Sequence, residues 1–235
     1  LAKNTAALKA QLKKLLYRTS FRMEDNATWL TRVKLIPFLR DIGKHFTVND
    51  LVKREHISKR LTTPDESISF TEFSYALLQA FDYQVLHREY KCDLQVGASD
   101  QWTNILSGVD LIRKQMGDEV YALTVPLITD AAGKKFGKSE GNAIWLDPKK
   151  TSSFAFYQFW MNLPDQNIEQ YLKVYTMMSL RDIEVLMEKH RAAPQDREAQ
   201  ETLASQVTVL VHGPAAAAQA AAATTAAATW RALPA

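Results

Sequence analysis

A glycine-rich loop with three lysines, GKKFGKSEG at residues 133 to 141, is the stretch of the sequence best suited to binding phosphate. Lys134, Lys135 and Lys138 supply positive charge, and the glycines between them let the backbone approach a ligand closely. The glycines are too close together for the nucleotide-binding pattern G-x-x-x-x-G-K-[ST]. Two interpretations stay open, a solvated surface turn and a mobile clamp for a polyphosphate.

A second set of polar side chains interrupts the apolar segment SFTEFSYALLQAFDYQVLHREY at 69–90. Tyr75, Gln79 and Asp82 are spaced i, i+4, i+7, so they share one face of a helix. A helix that is otherwise apolar is expected to be buried, and an unpaired buried polar group costs roughly 1–3 kcal/mol. The row therefore predicts either an internal network between two elements or one wall of a polar pocket.

The third set, GASDQW at 97–102, directly follows a predicted strand. Gly97 and Ala98 are small, so a ligand could approach the backbone there. Asp100 could accept a hydrogen bond from a ribose hydroxyl or cap the next helix. The lysine loop also follows a predicted strand, and parallel sheets bind ligands beyond the carboxyl ends of their strands. The sequence thus predicts a site for a nucleotide and a small polar ligand at this edge.

Hydrophobic periodicity predicts the elements that position these groups. Strands are expected at 92–97 and 120–129, with a helix at 103–117 between them. Strand, helix and strand within about 40 residues form the βαβ unit of a parallel sheet. The remaining predicted elements are helices, at the amino terminus and at 25–44, 48–60, 69–90, 151–163, 167–177, 179–192 and 196–212.

The composition is globular and mildly basic. Hydrophobic residues make up 46% of the chain, and 29 Lys and Arg against 26 Asp and Glu give a net charge of +3, which is compatible with RNA contact. The single cysteine, Cys92, excludes an internal disulfide, and the histidines show no ligand spacing, so no metal site is predicted. The alanine-rich end predicts a helix, or a stretch where alanine stands for residues of unknown identity.

Four segments in order resemble the bacterial and organellar tyrosyl-tRNA synthetases: SISFTEFSYALLQAFDY, LQVGASDQWTNI, VPLITDAAGKKFGKSEGNAIWLDPKKTS and FYQFW. Within the third, KFGKS is similar to the signature lysine loop of class I aminoacyl-tRNA synthetases. The resemblance implies an α/β fold, the C-terminal half of a Rossmann-like parallel-sheet catalytic domain with a helical insertion, within residues 1–150. An all-α domain on the anticodon side would follow in residues 151–235.

The resemblance also implies an activity, partners and residue roles. The activity would be ATP-dependent activation of tyrosine, with Mg2+ accompanying ATP, and transfer to tRNA-Tyr by a homodimer without a tightly bound cofactor. The implied roles are tyrosine binding for Tyr75, Gln79, Asp82 and Gln95, ATP binding for Gly97, Ala98, Asp100, Leu127, Ile128 and Ser139, catalysis for Lys135, Lys138 and Gln101, and dimerisation for Phe70.

The sequence departs from the family pattern in three respects. It lacks an H-I-G-H-type motif together with the first half of the nucleotide fold and the tyrosine-hydroxyl partners that the family carries there, it lacks the RNA-binding tail domain, and Ala98 stands where a glycine is expected. The chain alone is therefore expected to be inactive, either as a fragment of a full synthetase or as a retained half with another role.

The other role would be RNA binding, for example to group I intron RNA, through the basic amino-terminal segment LKAQLKKLLYRTSFR, or a structural role in a larger ribonucleoprotein. The same basic segment favours the mitochondrial matrix, with the bacterial cytoplasm as the alternative. No run of 18 apolar residues is present, so no membrane partner is expected.

Overall fold

The predicted strand–helix–strand segment forms a parallel βαβ unit in the computed structural model. β1 (Leu94–Ala98) pairs with β2 (Tyr121–Val125), and α7 (Trp102–Met116) connects the two strands. In the parallel register Ala98 is opposite Val125, so the carboxyl ends of both strands lie side by side. The prediction of a βαβ unit is confirmed, although both strands are shorter than predicted.

The structure describes residues 2–128 and 144–231. They belong to two units, called here the sheet unit (Glu24–Leu127) and the helical unit (Leu1–Met23 with Ile128–Ala235). The predicted lysine loop lies outside the described residues. The functional division predicted near residue 150 stays a prediction.

Short helices precede β1 in the sheet unit. Pro37 lies in the first turn of its helix, where the missing N–H has no partner to lose, and it could not have stood inside a longer helix. Arg54 has an extended backbone (ψ 131°) and separates the next two helices. Single helices over 25–44 and 48–60 are therefore wrong predictions. The observed helices are α2 (Ala27–Leu30), α3 (Leu35–Asp41), α4 (Val48–Val52), α5 (Glu55–Thr62) and α6 (Phe70–Tyr90).

A reciprocal cap fixes the start of α6 and confirms the helix predicted at 69–90. The Ser69 hydroxyl accepts a hydrogen bond from the Glu72 backbone N–H at 3.2 Å, and the Ser69 N–H donates to Glu72 Oε2 at 3.0 Å. Arg60 adds a salt bridge, with 2.6 Å between Nη1 and Glu72 Oε1. The hydrogen bonds from Arg60 and Ser69 lower the pKa of Glu72 to about 2.

This lowered pKa predicts a dependence of stability on pH. A carboxyl whose pKa is lower in the folded state stabilises the fold above its unfolded pKa and stops doing so as the pH falls. We expect the free energy of unfolding to decrease between pH 4.5 and about pH 2, and Glu72→Gln to make that decrease shallower. Urea unfolding over this pH range measures the free energy of unfolding of the unsubstituted protein and of the variant. The matched control is Glu89→Gln, an exposed glutamate paired with its neighbour Arg88, and equal pH dependence in both variants would contradict the expectation.

The core of the sheet unit lies where α6 packs on α7. Tyr83 is fully buried, and its ring lies so close to Gly108 that an added Cβ would come within 2.7 Å of it. The Tyr83 hydroxyl lies 3.0 Å from the Asp93 carbonyl oxygen and 2.8 Å from that of Tyr121. Tyr83 thus ties α6 to the starts of both strands, and burial raises its pKa to about 12.

The helical unit has an aromatic core that α12 helps to close. Ala217 and Ala220 of α12 are buried, and Gln158 Nε2 donates to Thr224 Oγ1 at 2.5 Å, so the alanine-rich helix is docked. Within the described residues no helix is long and apolar enough to cross a membrane. The helices of this unit are α1 (Ala2–Leu15), α8 (Ser153–Met161), α9 (Ile168–Tyr175), α10 (Leu180–Ala192), α11 (Glu198–His212) and α12 (Pro214–Arg231). The helices predicted at 151–163, 167–177, 179–192 and 196–212 are confirmed to within a few residues, and the alanine-rich end adopts the helix that was one of its two alternatives.

Candidate functional site

The polar row on α6 is the first component of the candidate site. Asp82 is half-buried, and its carboxylate accepts hydrogen bonds from Trp29 Nε1 at 2.7 Å and from Asn26 Nδ2 at 2.9 Å. Two fixed donors hold this carboxylate in one direction. Gln79 is half-buried and Tyr75 is 55% exposed. The row is therefore linked to α2 at Asp82 and accessible at its other end.

Trp29 and Asn26 belong to the site, and the sequence reasoning missed them. They precede Asp82 by 53 and 56 residues, and the segment EDNATWL around them predicts only the start of a helix. The one available signal was an indole and an amide, two side chains with N–H donors, within a single turn. Nothing local in the sequence pairs them with Asp82.

The second component is the carboxyl end of β1 and the turn that follows it. A 3-10 turn, Ser99–Gln101, leads from β1 into α7. Gly97 is tightly packed, because a Cβ there would lie 3.0 Å from both Gln101 Cβ and Ile105 Cδ1, and these neighbours would have to shift to admit it. The glycine therefore lets the side chain of Gln101 lie against the end of β1.

Gln95 supplies a buried acceptor on β1. It alternates with exposed neighbours, so it lies on the covered side of the strand. Its Oε1 atom is buried and has no hydrogen-bond partner among the described residues. Since an unsatisfied buried acceptor costs roughly 1–3 kcal/mol, a donor from a ligand or from water would be stabilised there.

The structure brings most of the predicted site residues into the sheet unit. The α6 row shares one helix face, the residues around 97–101 share the end of β1, and Leu127 lies two residues beyond β2. Ile128 belongs to the helical unit. Phe70, at the start of α6, is 76% exposed. The residues outside the described part of the chain are Lys135, Lys138 and Ser139.

The described site side chains are carboxylates, amides and a phenol, which bind and orient a ligand through hydrogen bonds. In the part of the chain that the structure describes, no group of three or more His, Cys, Asp or Glu side chains could hold a metal ion.

Comparison with known proteins shows the family to which the chain belongs. Residues 2–228 match the family model described as tRNA synthetases class I (W and Y). The chain is 49% identical over 191 residues to tyrosine–tRNA ligase 1 of Vibrio parahaemolyticus and 51% identical over 189 residues to the tyrosine–tRNA ligase of Escherichia coli. These alignments cover 81% and 80% of this chain but 46% and 45% of the relatives. The chain thus spans about half the length of these curated relatives.

Solved structures give the same family. C-terminally truncated mitochondrial tyrosyl-tRNA synthetases from Coccidioides posadasii and Aspergillus nidulans superpose with TM-scores of 0.73 and 0.74, each at 29% sequence identity. The superpositions cover 93% and 94% of this chain and 64% and 66% of those chains. The predicted α/β fold with a following all-α region agrees with these matches.

Proposed function

Because the chain belongs to the class I tRNA synthetases (W and Y), we propose that it works as part of a tyrosine–tRNA ligase. The main observation in support of the proposal is that hydrogen bonds from Trp29 and Asn26 fix the orientation of the Asp82 carboxylate. A carboxylate held in this way is a strong acceptor for a phenolic O–H. Phenylalanine would take the place of water at this carboxylate without offering it a donor, a form of discrimination for which this enzyme family is itself the reference case.

The other site residues complete the proposed binding of both substrates. Tyr75 and Gln79 hold the amino group of tyrosine, and Gln95 supports the pocket. Asp100 accepts from the ribose of ATP, and Gly97 and Ala98 lie beneath the nucleoside. The remaining proposed roles are backbone contacts to adenine at Leu127 and Ile128, and binding of the phosphates by Lys135, Lys138 and Ser139.

The proposed reaction transfers the adenylyl group of ATP to tyrosine. A carboxylate oxygen of tyrosine attacks the α-phosphorus, the bond from this phosphorus to the bridging oxygen breaks, and pyrophosphate leaves with that electron pair. Gln101 donates a hydrogen bond near the reacting groups, and the lysines balance the charge on pyrophosphate. Mg2+ would enter bound to the phosphates of ATP, the way this ion ordinarily reaches such sites. The adenylate would then react with tRNA-Tyr.

Amino-acid-dependent exchange of labelled pyrophosphate into ATP tests the proposal. The protein is purified from its natural source, because the chain spans about half the length of the relatives. We expect exchange with tyrosine and none above background with phenylalanine. Exchange with neither amino acid, or with both equally, would contradict the proposal.

A homodimer is part of the proposal and rests on exposed apolar side chains. Phe70 is 76% exposed at the start of α6, and Ile36 and Leu35 of α3 are 73% and 68% exposed. A second copy that covered these side chains would remove their apolar surface from water, which favours association. A second copy of the chain is the proposed occupant.

RNA binding by α1 is a second candidate function, and the charge of this helix favours it. Lys9 and Lys13 are exposed and stand one turn apart, and α1 contains no acidic residue in its sequence AKNTAALKAQLKKL. A face of this kind suits the phosphates of a structured RNA such as a group I intron.

Salt dependence measures that second function. We expect Lys9→Ala with Lys13→Ala to weaken RNA binding and to reduce the slope of log K against log salt by about 1 for each lost phosphate contact. Lys189→Ala, an exposed lysine of α10, is the matched control. An unchanged slope in the α1 variant would contradict a role for this helix.

The mitochondrial matrix is the proposed location. Two observations support it, the mitochondrial origin of the Coccidioides and Aspergillus structures named above and the basic α1. The bacterial cytoplasm is the alternative, favoured by the higher identity to the bacterial ligases.

A further inference from the structure

Arg54, between α4 and α5, directs its guanidinium at α7. Its Nη1 donates to Asn104 Oδ1 at 3.1 Å, and its Nη2 donates to Ser107 Oγ at 2.5 Å. Both acceptors are buried, with 9% and 6% exposure, and Arg54 is half-buried. The Ser107 hydroxyl in turn donates to the Thr103 carbonyl at 2.9 Å. The guanidinium thus donates hydrogen bonds to two neutral acceptors, and burial lowers its pKa.

A guanidinium can only donate hydrogen bonds, and this decides which way the neighbouring amides point. Asn104 must turn Oδ1 toward Arg54, so its Nδ2 is left to donate to Gln101 Oε1, at 3.4 Å. Gln101 therefore uses its oxygen inside the protein, and its Nε2 points away from Asn104. Without a group that only donates, either amide could be turned by 180° with the same shape.

We propose that Arg54 and Asn104 are positioning residues that hold the amide of Gln101 with Nε2, and not Oε1, toward the candidate site. The inference rests on the proposed function, in which Gln101 lies beside the tyrosine carboxylate and the α-phosphate. Both groups are acceptors, and negative charge moves between them during the reaction. An N–H stabilises that charge, whereas a carbonyl oxygen would repel it.

Asn104→Asp tests directly which atom of the Gln101 amide faces the candidate site. The aspartate has nearly the same size and pairs more strongly with Arg54, but it has no N–H to offer Gln101. Gln101 would then turn its Nε2 inward as a donor and its Oε1 toward the site. If Arg54 and Asn104 acted on stability alone, Asn104→Asp would leave the reaction unaffected, because the pairing with Arg54 is retained.

The activity readout is tyrosine-dependent pyrophosphate exchange by the complete protein. We expect Asn104→Asp to lower kcat about 10²-fold, the usual effect of losing one donor to developing charge, with little change in KM for tyrosine. Arg54→Gln, which can also accept, should lower kcat as well, and Arg54→Lys, which can only donate, should retain most of it. Ser107→Ala removes the other hydrogen bond of Arg54. It leaves in place the hydrogen bonds from Arg54 through Asn104 to Gln101, called here the relay, so its kcat should stay near that of the unsubstituted protein. Unchanged kcat in Asn104→Asp, or an equal loss in Ser107→Ala, would overturn the inference.

A second readout does not depend on activity. In the NMR spectrum of this chain, Asn104→Asp should move the side-chain amide protons of Gln101 downfield and slow their exchange with water, because they become donors to a carboxylate. An unchanged Gln101 signal overturns the relay even if the protein activates tyrosine. Conversely, a shifted signal in a protein that lacks tyrosine-dependent exchange supports the relay and overturns the proposed function.

Discussion

Gly108→Val is expected to lower the free energy of unfolding by about 3 kcal/mol, near the upper end for overpacking a core. A Cβ at this position would meet Tyr83 Cδ1 at 2.7 Å and Tyr83 Cβ at 2.9 Å. The ring has nowhere to move, since it is fully buried and its hydroxyl lies at hydrogen-bond distance from the carbonyls of Asp93 and Tyr121. Urea unfolding followed by circular dichroism measures the loss.

Gly43→Val is the matched control for this substitution. The nearest atom to a Cβ at Gly43 is Leu39 Cδ2 at 3.5 Å, which is an ordinary contact. We expect this variant to change the free energy of unfolding by less than about 1 kcal/mol. If both valine variants were equally stable, the tight packing of α6 against α7 would not be the feature that limits position 108.

Asp82→Ala is expected to lower kcat/KM for tyrosine about 10²-fold, because a hydrogen bond to a charged group contributes roughly 1.5–3 kcal/mol. The substitution removes the acceptor proposed for the tyrosine hydroxyl and leaves the N–H donors of Trp29 and Asn26 unpaired. Discrimination against phenylalanine should fall with it, since this ligand lacks the hydroxyl. Pyrophosphate exchange by the complete protein, measured with both amino acids, gives the two values.

In the same assay, Trp29→Phe separates the orientation of the Asp82 carboxylate from its contact with tyrosine. The variant keeps an aromatic ring but loses the N–H that donates to Asp82 at 2.7 Å, and we expect a smaller loss, about tenfold. Asp110→Ala is the control, because this carboxylate pairs with Arg113 on the surface of α7. Full activity in Asp82→Ala, or an equal loss in Asp110→Ala, would contradict the proposed pocket.

Local signals explain which elements the sequence predicts well. Ser69 and Glu72 form the capping box that the SFTE segment encodes, so the start of α6 is correct. Gly117 ends α7 in the left-handed conformation (φ 74°) that glycine adopts without strain. The helices over 25–44 and 48–60 are wrong because Lys34 and Arg54 have extended backbones, and because Pro37 is accommodated only in the first turn of a helix.

Long-range contacts explain what the sequence does not predict in the site. The α6 row follows from helical spacing, and the end of β1 follows from the order of elements. Asp82 meets its donors across 53 and 56 residues, and Arg54 reaches Asn104 across 50. In the sequence Arg54 is one charge in the run KRE and looks like a surface residue. Such pairings are set by the packing of helices and carry no local pattern.

One face of the two-stranded sheet bears on the proposed function. Leu94, Val96 and Leu123 are 47%, 57% and 50% exposed on that face. Parallel sheets are ordinarily covered on both faces. Because the chain spans about half the length of the relatives, we propose that the complete enzyme covers this face with further elements.

A crystal structure of the complete protein with a nonreactive analogue of tyrosyl adenylate tests the central claim most directly. We expect the phenolic oxygen within hydrogen-bond distance of the Asp82 carboxylate, the ribose at Asp100 and the phosphate mimic on the Nε2 side of Gln101. A phenolic ring bound away from α6, or an analogue bound away from the carboxyl ends of β1 and β2, would contradict it.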